Sequence, residues 1–373
     1  MQRVVISGTG LHAPAQSISN EALVAAFNVH VREYNRRWAD DIEAGRRPAK
    51  SGSSAEFIAK ASGIRARRVV DREGLLDPAR LMPRLRERAD SELSLQAEMA
   101  MLAGRDAIAA AGLAAADIDA VLVAATSLQR AYPAIAIEVQ AALGCGGYAY
   151  DMNVACSSAT FALRAATDAV RTGSARRVLV ICPEICSGFL DWGDRDCHFI
   201  FGDVAVALVV EAADDCRAER RFEVLGSRLQ TRFSSNIRDN FGFLNRCEDA
   251  DPLARDKLFY QEGRKVFKEV CPLVAEHLLA HLHASGLTPA DVSRLWLHQA
   301  NINMNDLITR KVLGADFRRE QAPMVLDEYG NTAAAGSLLA FHLHSADLQA
   351  GDTGVLCSFG AGYSIGSVLV RRC

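Results

Sequence analysis

The chain reads as an α/β protein made of two related halves. Apolar strand-like runs alternate with longer helix-period runs along its length. That order places helices against the faces of a sheet. The segment Gly112-Leu113-Ala114-Ala115-Ala116-Asp117-Ile118-Asp119-Ala120-Val121-Leu122-Val123 also has a second, similar copy. It is Gly286-Leu287-Thr288-Pro289-Ala290-Asp291-Val292-Ser293-Arg294-Leu295-Trp296-Leu297, 174 residues further on. In both, a helical pattern stops at glycine, a turn follows, and an apolar strand begins.

A second pair of elements supports the duplication. Cys156 opens a predicted helix that runs to about Thr172-Gly173 and leads into the strand Arg177-Val178-Leu179-Val180-Ile181. Asn331 precedes a predicted helix that runs to about Ala350-Gly351 and leads into Thr353-Gly354-Val355-Leu356-Cys357. Near-continuous apolar strands at 120–125 and 204–210 suit sheets covered on both faces. The expected halves are 1–216, with the cysteine, and 217–373, with the histidine and asparagine. Two polar segments, 29–54 and 77–92, read as insertions. The first carries Arg32, Arg36, Arg37, Arg46, Arg47 and Lys50; the second carries Arg80, Arg84, Arg86 and Arg88. Each is either a solvated surface or a basic lip for a phosphate-bearing or acidic partner.

Composition narrows the classes of function. The 373 residues are half hydrophobic and carry a net charge of −3, which argues against nucleic acid as a main partner. No apolar run reaches the length of a membrane span. The opening Met1-Gln2-Arg3-Val4-Val5-Ile6-Ser7-Gly8-Thr9-Gly10 reads as a strand entering a glycine turn and not as a secretory leader, so a cytoplasmic location is expected. Ten cysteines in such a chain do not suggest a disulfide framework. Cys182, Cys271 and Cys357 lie in apolar runs and read as core residues. Cys182, Cys186, Cys197 and His198 match no compact zinc pattern, and no metal is expected.

Three residues sit at structural joints. Cys156 lies in Asp151-Met152-Asn153-Val154-Ala155-Cys156-Ser157-Ser158-Ala159, where a strand gives way to a helix. A thiol in the first turn of a helix feels the positive end of the dipole, which favours thiolate. His298 ends a predicted strand in Leu297-His298-Gln299-Ala300-Asn301, and Asn331 follows Gly330. Taken singly, the three are a core cysteine, a satisfied buried histidine and a turn residue. If a pseudo-twofold relates the halves, all three converge at the seam, a set suited to acyl-thioester chemistry.

The order and spacing of further motifs resemble those of β-ketoacyl-acyl-carrier-protein synthase III, a member of the thiolase-like condensing enzymes. The resemblance runs nearly end to end. It covers Ser7-Gly8-Thr9-Gly10, Gly63-Ile64-Arg65-Ala66-Arg67-Arg68, the cysteine segment and Phe201-Gly202-Asp203. It continues through Gln261-Glu262-Gly263-Arg264-Lys265-Val266-Phe267-Lys268, His298-Gln299-Ala300-Asn301, Gly330-Asn331-Thr332 and Phe359-Gly360-Ala361-Gly362-Tyr363. It implies a duplicated five-layer αβαβα fold and a homodimer. It also implies an acyl-CoA donor, malonyl-acyl-carrier protein as acceptor and no resident cofactor. Cys156 would be the nucleophile. His298 and Asn331 would hydrogen-bond the enolate oxygen left by decarboxylation. The backbone N–H groups of Cys156 and Ala361 would form the oxyanion hole.

The departures fall at the mouth of the site. Where the family commonly has a Trp and an Arg clamping the adenine end of coenzyme A, this chain has Phe57 and Ala61. Phe57 can stack, but that cation is lost or displaced. Arg195 matches the clamp's other arginine, and Asn301 a residue of the pantetheine tunnel. Asn303 stands where a carrier-docking base often lies. Ala361 replaces a glycine, which reduces backbone freedom. Tyr132 matches the aromatic residue that closes the partner subunit's acyl pocket. These changes point to a medium-chain primer such as octanoyl-CoA. Two other readings share the fold: acyl transfer to an oxygen or nitrogen acceptor in secondary metabolism, and a non-catalytic acyl-binding subunit.

Overall fold

The computed structural model describes residues 2–251 and 254–373. Its principal strands are β1 (Val4–His12), β2 (Ala120–Ala124), β3 (Tyr148–Met152), β4 (Arg177–Ile185), β5 (Asp203–Ala212), β6 (Phe222–Thr231), β7 (Val292–Leu297), β8 (Thr353–Gly360) and β9 (Ser364–Arg372). The principal helices are α1 (Asn20–Arg37), α2 (Ala55–Ser62), α3 (Leu95–Ala110), α4 (Ile135–Leu143), α5 (Ser158–Thr172), α6 (Gly263–Ala284), α7 (Ile302–Leu313) and α8 (Gly336–Leu343).

The strands hydrogen-bond in the order β7-β8-β9-β6-β1-β5-β4-β2-β3. The link between the two halves of this sheet is short, pairing Val5 with Glu223 and Ile6 with Phe222. On one side β2 runs parallel to β4, and β4 antiparallel to β5. On the other, β7 runs parallel to β8, and β8 antiparallel to β9. The second half thus repeats the first, with β3 as an extra edge strand.

Burial defines the layers. α5 presents Ala159, Ala162, Leu163, Ala166 and Val170, the i, i+3, i+4 spacing of a helix face, and α8 presents Leu338, Leu339 and Phe341. Both helices share one apolar core with strand residues of both halves, among them Val180, Val206, Leu356 and Val368. They therefore form the middle layer. α3 and α4 cover the outer face of the first-half strands. α6 and α7 cover the outer face of the second half. The result is the five-layer αβαβα arrangement of the thiolase-like fold.

α5 stops as expected at Gly173, whose φ of 77° suits a left-handed cap. Its counterpart α8 does not reach residue 350 but ends at Leu343. The reason lies in β7. The Arg294 guanidinium and the Trp296 indole N–H both donate to the carbonyl oxygen of His344, which fixes the chain end of the helix there.

The expected insertions are neither loose nor strongly cationic. Residues 29–37 simply continue α1, and the return is strapped by the side chains of Asn28 and Asn35, which bond the backbone of Ser53 and Lys50. Arg46 pairs with Asp41 at 2.6 Å, and Arg47 stacks over Trp38 at 4.0 Å. Around 77–92, Arg86 pairs with Glu92 and Arg88 with Glu98. Four of the ten basic residues named in these segments, Arg46, Arg84, Arg86 and Arg88, thus pair with acids of the chain. Among the described residues no helix is long and apolar enough to cross a membrane, and no His/Cys/Asp/Glu group is placed to hold a metal.

One close approach fixes β1 on α3. A Cβ at Gly8 would lie 2.2 Å from the carbonyl oxygen of Ala107. Gly8→Ala is therefore expected to lower stability by about 1–3 kcal/mol. The measurement is the denaturant midpoint at unchanged slope; an unmoved midpoint would mean that β1 does not press on α3.

Candidate active site

Cys156 lies just ahead of α5, not in its first turn. Ser157 is the N-cap and the helix starts at Ser158. The approach is strained: Ala155 has φ 47°, a left-handed conformation uncommon outside glycine. The joint is pinned by Ser157, whose hydroxyl donates to the Ser364 carbonyl at 2.9 Å, and by Ser158, whose hydroxyl donates to the Ala155 carbonyl at 2.7 Å.

This setting changes the expected state of the sulfur. Burial, with the nearby Glu184 carboxyl second, pushes the Cys156 thiol up to about 12. Backbone N–H groups of Ala361 and Cys156 oppose that rise but do not overcome it. The resting group is therefore a thiol, and the expectation of a dipole-favoured thiolate is corrected: desolvation outweighs the dipole. The two N–H groups are the pair expected as the oxyanion hole. Ala361 does not need glycine's freedom here, because the left-handed positions of this loop are Gly362 (φ 68°) and Tyr363 (φ 41°).

The second half supplies the other walls. Gly360, at the end of β8, comes so close that a Cβ there would lie 2.6 Å from the Cys156 Cβ and 3.1 Å from its sulfur. His298 follows β7, and its backbone N–H donates to the Cys357 carbonyl at 2.7 Å. Burial lowers its imidazole to about 4, partly offset by the Ala333 backbone, so the ring is neutral. Asn331 is tied into the first half: its N–H donates to the Ile200 carbonyl, and its carbonyl accepts from the Gly202 N–H. Its Oδ1 accepts the Ala333 N–H at 2.9 Å. The carboxamide NH2 is the end left for a substrate.

Cys156, His298 and Asn331 line one cavity of about 760 Å³. Its walls are largely apolar, including Ile237, Phe259, Val266 and Phe267, and the lining also includes Phe57, Asp194, Asp196 and Arg255. Arg195 stacks over the Phe57 ring at 4.2 Å and donates to the Gly52 carbonyl at 2.7 Å. Arg195, the remaining arginine of the expected clamp, thus lies against the Phe57 ring, while Ala61 leaves no cation on α2 at the other place. Asn301 lines the cavity but is also committed structurally. Its Oδ1 caps α7, accepting from the Asn303 and Met304 N–H groups, and its NH2 donates to the Ala61 carbonyl. Tyr132 is 84% exposed and lies outside the cavity lining in the single chain.

Sequence reasoning did not single out Glu184. It is fully buried near the end of β4, and burial pushes its carboxyl up to about 8. Its Oε1 accepts backbone N–H bonds from Thr126 at 2.7 Å and Ala334 at 3.2 Å. The available signal was an acid inside an otherwise apolar strand.

A duplicated five-layer fold with a cysteine, a histidine and an asparagine around one acyl-sized cavity defines a condensing enzyme of the thiolase-like class. Comparisons with known proteins agree. The family descriptions "3-oxoacyl-(acyl-carrier-protein) synthase III" and its C-terminal counterpart match residues 150–232 and 282–372. A β-ketodecanoyl-(acyl-carrier-protein) synthase of Pseudomonas aeruginosa is 57% identical over 93% of this chain and 99% of its own. A β-ketoacyl-(acyl-carrier-protein) synthase III of Brucella canis is 34% identical over 86% and 91%. The crystal structure of 3-oxoacyl-(acyl carrier protein) synthase III from Pseudomonas aeruginosa PAO1 superposes with a TM-score of 0.75 at 25% identity, covering 99% of this chain and 98% of that one. The chain belongs to the β-ketoacyl-acyl-carrier-protein synthase III family, the condensing enzymes of fatty acid biosynthesis.

Two outcomes follow from this geometry. Gly360→Ala should slow acylation of Cys156 by at least about tenfold, since the added methyl displaces the nucleophile and misplacement by an ångström can cost that much or more. Intact-protein mass spectrometry over time reads the rate, and a wild-type rate would contradict the contact. The second concerns pH. His298 has its folded-state pKa below the ordinary 6.5, so between those values an unfolded chain binds the proton more readily. Its contribution to stability is present above 6.5 and is lost as pH falls toward about 4. Decarboxylation should show no His298 ionisation near 6.5. A rate inflection there that disappears in His298→Asn would contradict the neutral ring.

Proposed function

We propose that this enzyme condenses a medium-chain acyl-CoA, such as octanoyl-CoA, with malonyl-acyl-carrier protein through an acyl-Cys156 intermediate. The observation that carries the proposal is the cavity: about 760 Å³, walled mostly by apolar side chains, with Cys156 and the Phe57 ring, over which Arg195 stacks, in one lining. Support comes from the Pseudomonas aeruginosa relative, whose name specifies a β-ketodecanoyl product. A decanoyl product is an octanoyl primer lengthened by one two-carbon unit.

The chemistry proceeds in two halves. In the first, the Cys156 sulfur gives up its proton as it attacks the donor carbonyl. A new C–S bond forms, the bond to coenzyme A breaks, and coenzyme A leaves as the thiol. Because the resting thiol is held protonated, deprotonation is coupled to substrate binding rather than completed beforehand. The Cys156 and Ala361 N–H groups face the oxyanion that develops. In the second half, malonyl thioester loses carbon dioxide, and the electron pair of the broken C–C bond moves into an enolate. The neutral His298 N–H and the Asn331 NH2 donate to the enolate oxygen. The carbanion carbon then attacks the acyl carbonyl, the C–C bond forms, the C–S bond breaks, and the sulfur leaves as thiolate and takes a proton from solvent to restore the resting thiol. The reaction uses no resident cofactor; coenzyme A and the carrier protein enter as substrates.

The working unit in this proposal is a cytoplasmic homodimer. β3 is an edge strand of the sheet, and its Tyr148 and Tyr150 stack at 6.3 Å and remain 40% and 38% exposed. Exposed aromatic side chains on an unpaired edge favour pairing with another copy. The Asp151 carboxylate of β3 accepts the N–H groups of Ile135 and Ala136, and the exposure of Tyr132, three residues before Ile135, supports a role for it at a partner.

The function is tested with acyl-CoA donors of increasing chain length and malonyl-acyl-carrier protein, following carbon dioxide release and product mass. Medium-chain donors should give the largest kcat/KM. Activity with acetyl-CoA alone would overturn the medium-chain reading, and acyl transfer without carbon dioxide release would overturn condensation. Asn331→Ala should slow carbon dioxide release by about 10²–10³-fold while Cys156 still becomes acylated; equal loss in both steps would contradict its assigned role.

A further inference from the structure

Glu184 occupies a position that a stability argument alone does not explain. It is 0% exposed, and none of the ion pairs among the described residues includes it. A buried carboxyl without a cation costs free energy. What it does have is a pair of backbone donors, one from each half of the chain. Its Oε1 receives the Thr126 N–H at 2.7 Å and the Ala334 N–H at 3.2 Å.

Each donor belongs to a strap that ends at a reacting group. On the nucleophile side, the Thr126 carbonyl accepts from the Asn153 NH2 at 3.0 Å, and Asn153 Oδ1 accepts the Ala155 N–H at 2.9 Å, next to Cys156. On the acceptor side, Ala334 adjoins Ala333, whose N–H holds Asn331 Oδ1. Both straps contain a non-glycine residue at positive φ, Ala155 at 47° and Ala333 at 45°. Such conformations persist only where the surroundings impose them. A single oxygen atom spans the two strained turns.

We propose that Glu184 is a positioning residue for the condensation step, holding the turn after Asn331 in register with the strap before Cys156. The proposal rests on the condensation reading above. Cys156 has separate anchors in the Ser157 and Ser158 hydroxyls, whereas the Ala333–Ala334 turn takes Glu184 as its side-chain acceptor from the first half. Loss of Glu184 therefore falls on the donor side of the enolate more than on the nucleophile.

The test measures the two half-reactions separately in Glu184→Ala, Glu184→Asp and Glu184→Gln beside the wild type. Acylation is read as the mass gain on Cys156 with octanoyl-CoA, and condensation as carbon dioxide released from malonyl-acyl-carrier protein. In Glu184→Ala condensation should fall at least about tenfold and acylation less than about threefold, as expected of a displaced substrate-orienting group. Glu184→Gln keeps an acceptor oxygen and should recover to within about threefold of wild type. Glu184→Asp, too short to reach both N–H groups, should show the same selective loss, and it serves should the alanine variant not fold. Equal loss in both half-reactions, loss in neither, or a glutamine variant as poor as alanine would each overturn the assignment. Wild-type enzyme that is acylated but releases no carbon dioxide would instead strike the condensation reading, and the inference with it.

Discussion

The site depends on how closely the end of one strand can approach one sulfur. β8 delivers Gly360 to a position where even a methyl group would overlap the Cys156 side chain. That contact joins the two halves at the point of reaction. It puts the Ala361 N–H against the sulfur and places the nucleophile within one cavity with His298 and Asn331. The middle layer of α5 and α8 supports this contact by sharing a single core between both sets of strands. Tight interior packing transmits such placements with little slack.

The same burial sets the chemistry. Removal from water holds the cysteine protonated, the histidine neutral and Glu184 largely uncharged near neutral pH. Under the proposed reaction the sulfur becomes a nucleophile when an acyl thioester is in place and backbone N–H groups can take up the negative charge. A neutral imidazole is also the better partner for an enolate that must go on to react, because it donates a hydrogen bond without trapping the charge as an ion pair. Phe57 and Arg195 extend this logic to the mouth: a flat ring under a guanidinium offers a stacking surface and a positive charge in one unit.

Much of this was legible in the chain. The repeat beginning at Gly112 and Gly286 foretold two similar halves, and the equivalence of Cys156 and Asn331 placed both at the seam. The features that escaped depend on three-dimensional burial or on distant partners. The protonation state of Cys156 reflects desolvation that a dipole argument does not register. The end of α8 at Leu343 is set by Arg294 and Trp296, some 50 residues earlier in the sequence. Arg195 was legible as one arginine of the clamp, but its stacking over the Phe57 ring was not. Glu184 was visible only as an acid in an apolar strand, and its two backbone donors, Thr126 and Ala334, lie 58 residues before and 150 after it. In the basic segments, acids close in sequence such as Asp41 and Glu92 pair with some of the arginines, which their charge count alone did not show.

The central claim is that one sulfur, enclosed by both halves, accepts the acyl chain. The direct measurement is peptide mapping after incubation with octanoyl-CoA and no malonyl substrate. A single octanoyl adduct is expected on the peptide bearing Cys156, removed when malonyl-acyl-carrier protein is added. An unmodified Cys156, or an adduct on Cys186 or Cys197 in its place, would contradict it.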